Sequence, residues 1–160
     1  MGRKTQLLFQ YALNASKHGR DVLYISPDRN QLEQSLQKQM RSSQVTADIF
    51  RRIQVKYIPP EASVLQAFFT SLQTNGLEGT QLIVVDNFGS YCPLPQAQSE
   101  ASDIAKTCAI LCNGADSLTG AEVVVGDNLL DANTPLPLDG IHSRLQIYMR
   151  SFPLALQVLG

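Results

Sequence analysis

The sequence predicts an α/β fold, a mostly parallel sheet with helices on both faces, and three observations carry that expectation. Short apolar segments at 21–26, 52–58, 81–86 and 121–126 alternate with stretches of helical periodicity. Three of the four, 21–26, 81–86 and 121–126, are almost continuously apolar, as strands covered on both faces are. The intervening segments are long enough to be crossover helices, which return the chain right-handedly to a parallel neighbour.

Taken in order, the stretch Thr5 to Ser16 carries apolar residues at 7, 8, 11, 12 and 15, the spacing of one buried helical face. Gly19 supplies the stop beyond it. Asp21 to Ser26 is a strand closed by Pro27, and Asn30 is placed to cap a second helix, with Glu33 at capping-box spacing. Arg52 to Ile58 alternates apolar and polar residues and ends at Pro59-Pro60, so it reads as a strand. Glu61 to Gln73 reads as a helix, ended by the Asn75-Gly76 turn signal. Gln81 to Asp86 is the most apolar strand. Asn87 to Ser99 reads as a loop, Glu100 to about Gly114 as a helix, and Ala121 to Gly126 as a strand. A loop over Asp131 to Gly140 and a last strand over Ser143 to Arg150 complete the expectation. Ligands of such sheets gather at the carboxyl ends of the strands, where Pro27-Asp28, Asp86-Asn87 and Gly126-Asp127-Asn128 fall.

The chain has 160 residues, 44% hydrophobic and 17% charged, with a net charge of −1, which fits a single domain over 1–160 rather than a disordered chain. No apolar run approaches the roughly 18–20 residues of a bilayer span, and the first residues lack the pattern of a secretion signal. The expectation is a protein that is neither secreted nor membrane-spanning. Cys92, Cys108 and Cys112 are too few for a disulfide framework. Cys108 and Cys112 lie one helical turn apart, but a zinc site needs two further ligands, so they read as core or surface thiols. Charge is divided unevenly: residues 1–60 hold ten Lys/Arg against four Asp/Glu, and the remainder three against ten. No Ser/His/Asp, Cys/His or paired-carboxylate spacing marks another hydrolytic or transfer enzyme.

Gly2-Arg3-Lys4-Thr5, followed at once by an amphipathic helix, looks like the tail of a phosphate-binding loop, G-x-x-x-x-G-K-[ST]. In such a loop the lysine places a charge on phosphate, the hydroxyl holds magnesium, and backbone amides at the helix start hold phosphate oxygens. Arg3 stands where the motif has glycine, and the front of the loop and its leading strand are not in the chain. Leu82-Ile-Val-Val-Asp86 matches the second nucleotide-binding element, in which a strand-end carboxylate orients magnesium. The two motifs in this order, in an α/β context, are more specific than either alone.

With Asp21-Val-Leu-Tyr-Ile-Ser26, Arg52-Ile-Gln-Val-Lys-Tyr-Ile-Pro-Pro60 and Ser143-Arg-Leu-Gln-Ile-Tyr-Met-Arg150 added, the chain resembles the RecA-like recombinase paralogues. The likeness is greatest to the branch that partners a SWIM-domain zinc protein. The resemblance implies a RecA-like P-loop NTPase core lacking its first strand and the front of its phosphate loop. It further implies ATP and Mg2+ as cofactors, weakly or vestigially bound in this chain, held by Gly2, Arg3, Lys4 and Thr5, with Thr5 and Asp86 on the metal. Asp28 falls where these ATPases place a water-polarising glutamate; the shorter side chain implies slow hydrolysis. Asn128 falls near the polar residue that senses the γ-phosphate. For Asp28 and Asn128 a turn or capping role is the alternative.

The implied function is mediation of homologous recombination in the nucleus. The chain would pair with a SWIM-domain protein and stabilise recombinase filaments on single-stranded DNA; the alternative is an active DNA-stimulated ATPase. The loops that bind DNA in this family correspond to 87–99 and 127–140, which hold no Lys or Arg. Phe88 or Tyr91 would stack a base there, or else pack. Arg41, Arg51, Arg52 and Lys56 are the better candidates for DNA, or are solvated charges. The family's first strand is expected between the strands ending at Asp86 and Gly126. Its loss implies a fragment of a longer chain, a gap in the sheet, or closure of those neighbours on each other.

Overall fold

The structure, a computed structural model, describes residues 2–42, 46–92, 98–118 and 120–127. Its elements run α1 (Gly2–Lys17), β1 (Val22–Ser26), α2 (Arg29–Ser42), α3 (Ala47–Arg51), β2 (Ile53–Tyr57), α4 (Ala62–Thr70), β3 (Leu82–Val85), α5 (Gln98–Ser117) and β4 (Glu122–Val125). Short 3-10 turns at Leu72–Asn75 and Phe88–Ser90 follow α4 and β3. The loop and strand expected over 131–150 lie outside the described residues.

The four strands form one all-parallel sheet in the order β2-β1-β3-β4, so the predicted α/β class is correct. β1 and β3, at its centre, are buried along their whole length, which is why their sequences are continuously apolar. Side chains alternate between the faces. Val22, Tyr24, Leu82 and Val84 pack with Phe9, Ala12 and Leu13 of α1 and Leu32 of α2. Leu23, Ile25, Ile83 and Val85 pack with Leu65 and Phe69 of α4 and Ile104, Cys108 and Leu111 of α5.

β3 and β4 are direct neighbours, paired from Leu82↔Glu122 to Val85↔Val125. The sheet therefore has no gap between the strands ending at Asp86 and Gly126. The two neighbours close on each other, and both edges of β3 find hydrogen-bond partners, in β1 and in β4.

Three local expectations need correction. The buried stripe of α1 is Thr5, Phe9, Ala12, Leu13, Ala15 and Ser16, so Ala12 and Ala15 face the core as expected while Leu7 and Tyr11 are exposed. The polar Ser16 belongs to the core face because its hydroxyl donates to the Ile49 carbonyl of α3. The cap of α2 is Asp28 and not Asn30: the Gln31 amide donates to the Asp28 carboxylate at 3.0 Å, and Glu33 pairs with Arg29 at 2.7 Å. The segment 87–99 is not all loop, since a 3-10 turn opens it and α5 begins at Gln98.

Candidate functional site at the carboxyl ends of the strands

From β1 the chain crosses to β2 by way of α2 and α3 on one face. From β2 it returns past β1 to β3 and on to β4, through α4 and α5 on the other face. The direction of winding thus reverses between β1 and β3. In an open parallel sheet that reversal leaves a crevice at the carboxyl ends, the usual place for a ligand.

Asp86 stands at that position. Its amide donates to the Ile25 carbonyl at 2.8 Å, carrying the β1–β3 ladder one residue past β3. Alternation puts its side chain on the face of Val84 and Leu82, beneath α1. Asn87 then takes a left-handed conformation, φ 51°, and turns the chain away; asparagine tolerates that region better than most residues. Asp86 is 2% exposed. Its Oδ2 accepts a hydrogen bond from the Tyr24 hydroxyl at 3.2 Å, and its Oδ1 is buried with no partner. Burial and the neighbouring carboxylate push the Tyr24 phenol far up, so it stays a donor.

Lys4 comes to the same place from the first turn of α1. Its Nζ is buried and unpartnered, so among the described residues the buried side-chain polar atoms left without a hydrogen bond are Lys4 Nζ and Asp86 Oδ1. Desolvation lowers the Lys4 pKa, and the charges of Asp86 and Asp127 oppose that shift. A buried ammonium and a buried carboxylate oxygen that interact electrostatically but make no hydrogen bond cost folding energy. Thr5, the next residue, is buried on the stripe that holds α1 to the sheet.

Gly2, Arg3, Lys4 and Thr5 are thus the opening turn of a helix and not a loop. Of the two motifs read from the sequence, the structure brings the charges of Lys4 and Asp86 together and buries Thr5 beside Lys4. Two neighbours escaped that reading. Tyr24 reaches Asp86 only through the register Tyr24↔Val84, which no local pattern reveals. Asp127 lay in the strand-end run Gly126-Asp127-Asn128 without a role. Its carboxylate carbon would be 2.7 Å from a Cβ added at Gly89, so only glycine at 89 leaves it in place.

The remaining candidates are dispersed. Asp28 caps α2, and its backbone is further tied to the Ser26 hydroxyl. Asn128 lies outside the described residues. Arg51 and Arg52 precede β2 and pair with Asp48 at 3.7 Å and Asp21 at 3.2 Å, while Lys56 sits towards the other end of β2 and Arg41 in the last turn of α2. Phe88 and Tyr91 are fully buried and pack, with the Tyr91 hydroxyl donating to the Ile58 carbonyl at 2.8 Å. Cys92 and Cys108 belong to the core, with Cys112 packed against it. Two clefts, of about 280 and 500 Å3, open at the amino ends of the strands, away from Lys4 and Asp86. No described helix is long and apolar enough to cross a membrane.

The chain matches no known protein-family profile and no curated protein at significant similarity.

Proposed function

We propose that the chain is a RecA-like P-loop domain that binds a nucleoside triphosphate with magnesium and serves homologous recombination chiefly through assembly. The observation that carries the nucleotide reading is the pair of orphaned buried atoms, Lys4 Nζ and Asp86 Oδ1, gathered at the switch point of a parallel sheet. Phosphate oxygens and a divalent cation are the partners such an ammonium and carboxylate lack, so the residues present fit the group. Lys4 would hold phosphate; Thr5 and Asp86 would hold the metal, directly or through water. When bound, the magnesium ion neutralises charge on the phosphates.

The protein's own contribution is to hold these groups in a water-poor place, where each charge acts over a weakly screened distance. Asp28, the candidate for polarising water, has its carboxylate engaged in capping α2. That supports binding with slow hydrolysis over rapid turnover. The recombination role, with a SWIM-domain partner, a recombinase filament, single-stranded DNA and a nuclear location, rests on the sequence resemblance.

Titration of the chain with ATP and magnesium, followed by calorimetry, tests the nucleotide reading. Lys4→Ala removes one charge-assisted contact to phosphate, worth about 1.5–3 kcal/mol, and is expected to weaken binding by roughly 10–100-fold. Equal affinity in the two proteins would refute it. Co-purification with a SWIM-domain protein tests the assembly role, and a chain that remains alone in its presence would refute that part.

A further inference from the structure

We infer that Tyr24 is the positioning residue of the site, fixing Asp86 so that Oδ1 alone is offered to a metal ion or its bound water. The inference rests on the nucleotide reading above and extends it to a residue that no motif includes. Tyr24 is fully buried in the middle of β1 and contacts Asp86 and, on α1, Phe9. Its hydroxyl donates to Asp86 Oδ2 at 3.2 Å, which stops rotation of the carboxylate and leaves Oδ1 as the unpartnered atom. Its ring meets Phe9 edge to face, with centroids 5.5 Å apart. Phe9 lies one turn after Thr5 on the buried stripe of α1, so this contact also seats the turn that carries Lys4. One side chain thereby orients the carboxylate and packs against the helix that carries Lys4. Partners of this kind, hydrogen-bonded to a ligating carboxylate, typically change metal affinity by about 10–100-fold when lost.

Tyr24→Phe separates the two contacts, since it keeps the ring against Phe9 and removes the hydroxyl. Magnesium is titrated into the ATP-saturated chain, and ATP is titrated separately in the presence of a chelator. The expected result is a roughly 10–100-fold loss of magnesium affinity, with metal-free ATP affinity unchanged because Lys4 stays seated. In an Asp86→Asn background the same change should have no further effect on magnesium. Parallel loss of both affinities, or unchanged magnesium affinity, overturns the positioning role while leaving the nucleotide reading intact. A wild-type chain that binds no ATP in either condition overturns both. Should Tyr24→Phe fail to fold, 3-fluorotyrosine at position 24 keeps ring and hydroxyl and strengthens the donor. It should fix the carboxylate more firmly and raise magnesium affinity, and an unchanged or lowered affinity counts against the inference.

Discussion

Replacing Gly114 by alanine sets two effects of similar size against each other, and the packing of α5 decides between them. In an exposed helix interior the change stabilises by about 0.8–1.0 kcal/mol, because glycine has more backbone freedom to lose. Gly114 is not exposed to solvent but faces α4. A Cβ there would lie 2.9 Å from the Phe69 carbonyl oxygen and 3.1 Å from carbons of Leu72 and Phe69. Phe69 and Leu72 are themselves fully buried, and the carbonyl is backbone, so no flexible side-chain end can swing aside. Overpacking of this kind costs about 1–3 kcal/mol. The balance is a net loss of about 1 kcal/mol. Urea unfolding should show it as a midpoint lower by about 0.5 M, at a slope near 2 kcal/mol/M and unchanged by the substitution. A midpoint raised by the amount expected of an exposed helix would refute the close approach of α5 to α4.

Two further outcomes follow from the site end of the sheet. Asp28→Ala removes the cap of α2 and should cost about 1 kcal/mol in thermal or urea unfolding, whereas Asp28→Asn retains an acceptor and most of the stability. A loss equal in both would show that the cap is not what Asp28 supplies. Lys4 has a folded-state pKa below its ordinary value of 10.5, so just beneath 10.5 the unfolded chain binds more protons than the folded one. Stability of the wild type relative to Lys4→Met should therefore rise with pH through that window, measured as the difference in melting temperature between the two proteins. Tyr24 and Tyr91 also titrate abnormally, but both proteins carry them and the difference cancels. A flat difference would place Lys4 in solvent.

The parallel α/β class was legible because burial on both faces leaves its mark on every residue of β1 and β3. Lys4 and Asp86 stood out in the sequence because each falls in a short segment resembling a nucleotide-binding motif, and their charges meet because α1 packs on the face of β3 that Asp86 shares. What escaped depends on contacts between distant segments. The face of α1 was misjudged because hydrophobicity favoured Leu7 and Tyr11. Tyr11 instead donates to Glu122 at 3.0 Å near the surface, and Ser16 goes inward to the carbonyl of Ile49. That carbonyl belongs to α3, a five-residue helix too short to show periodicity. Tyr24 reads as one apolar residue among five, and its role follows from the register of β1 on β3. Asn30 outranked Asp28 as a cap because two residues of capping type lie two positions apart, and only the placement of Arg29 as the first helical residue separates them.

β1 joins Ile53 on one side and Leu82 on the other through the single residue Val22. Each of those partners is remote in the chain, so the centre of the sheet closes large loops before any of its ladder is repaid, the circumstance that slows folding in proteins of high contact order. A partly folded chain with only its local helices formed would bring α1 nowhere near the end of β3. On the nucleotide reading proposed above, a ligand held between Lys4 and Asp86 would then signal that folding has run to completion, and ligand added during refolding should capture the finished state without accelerating its arrival.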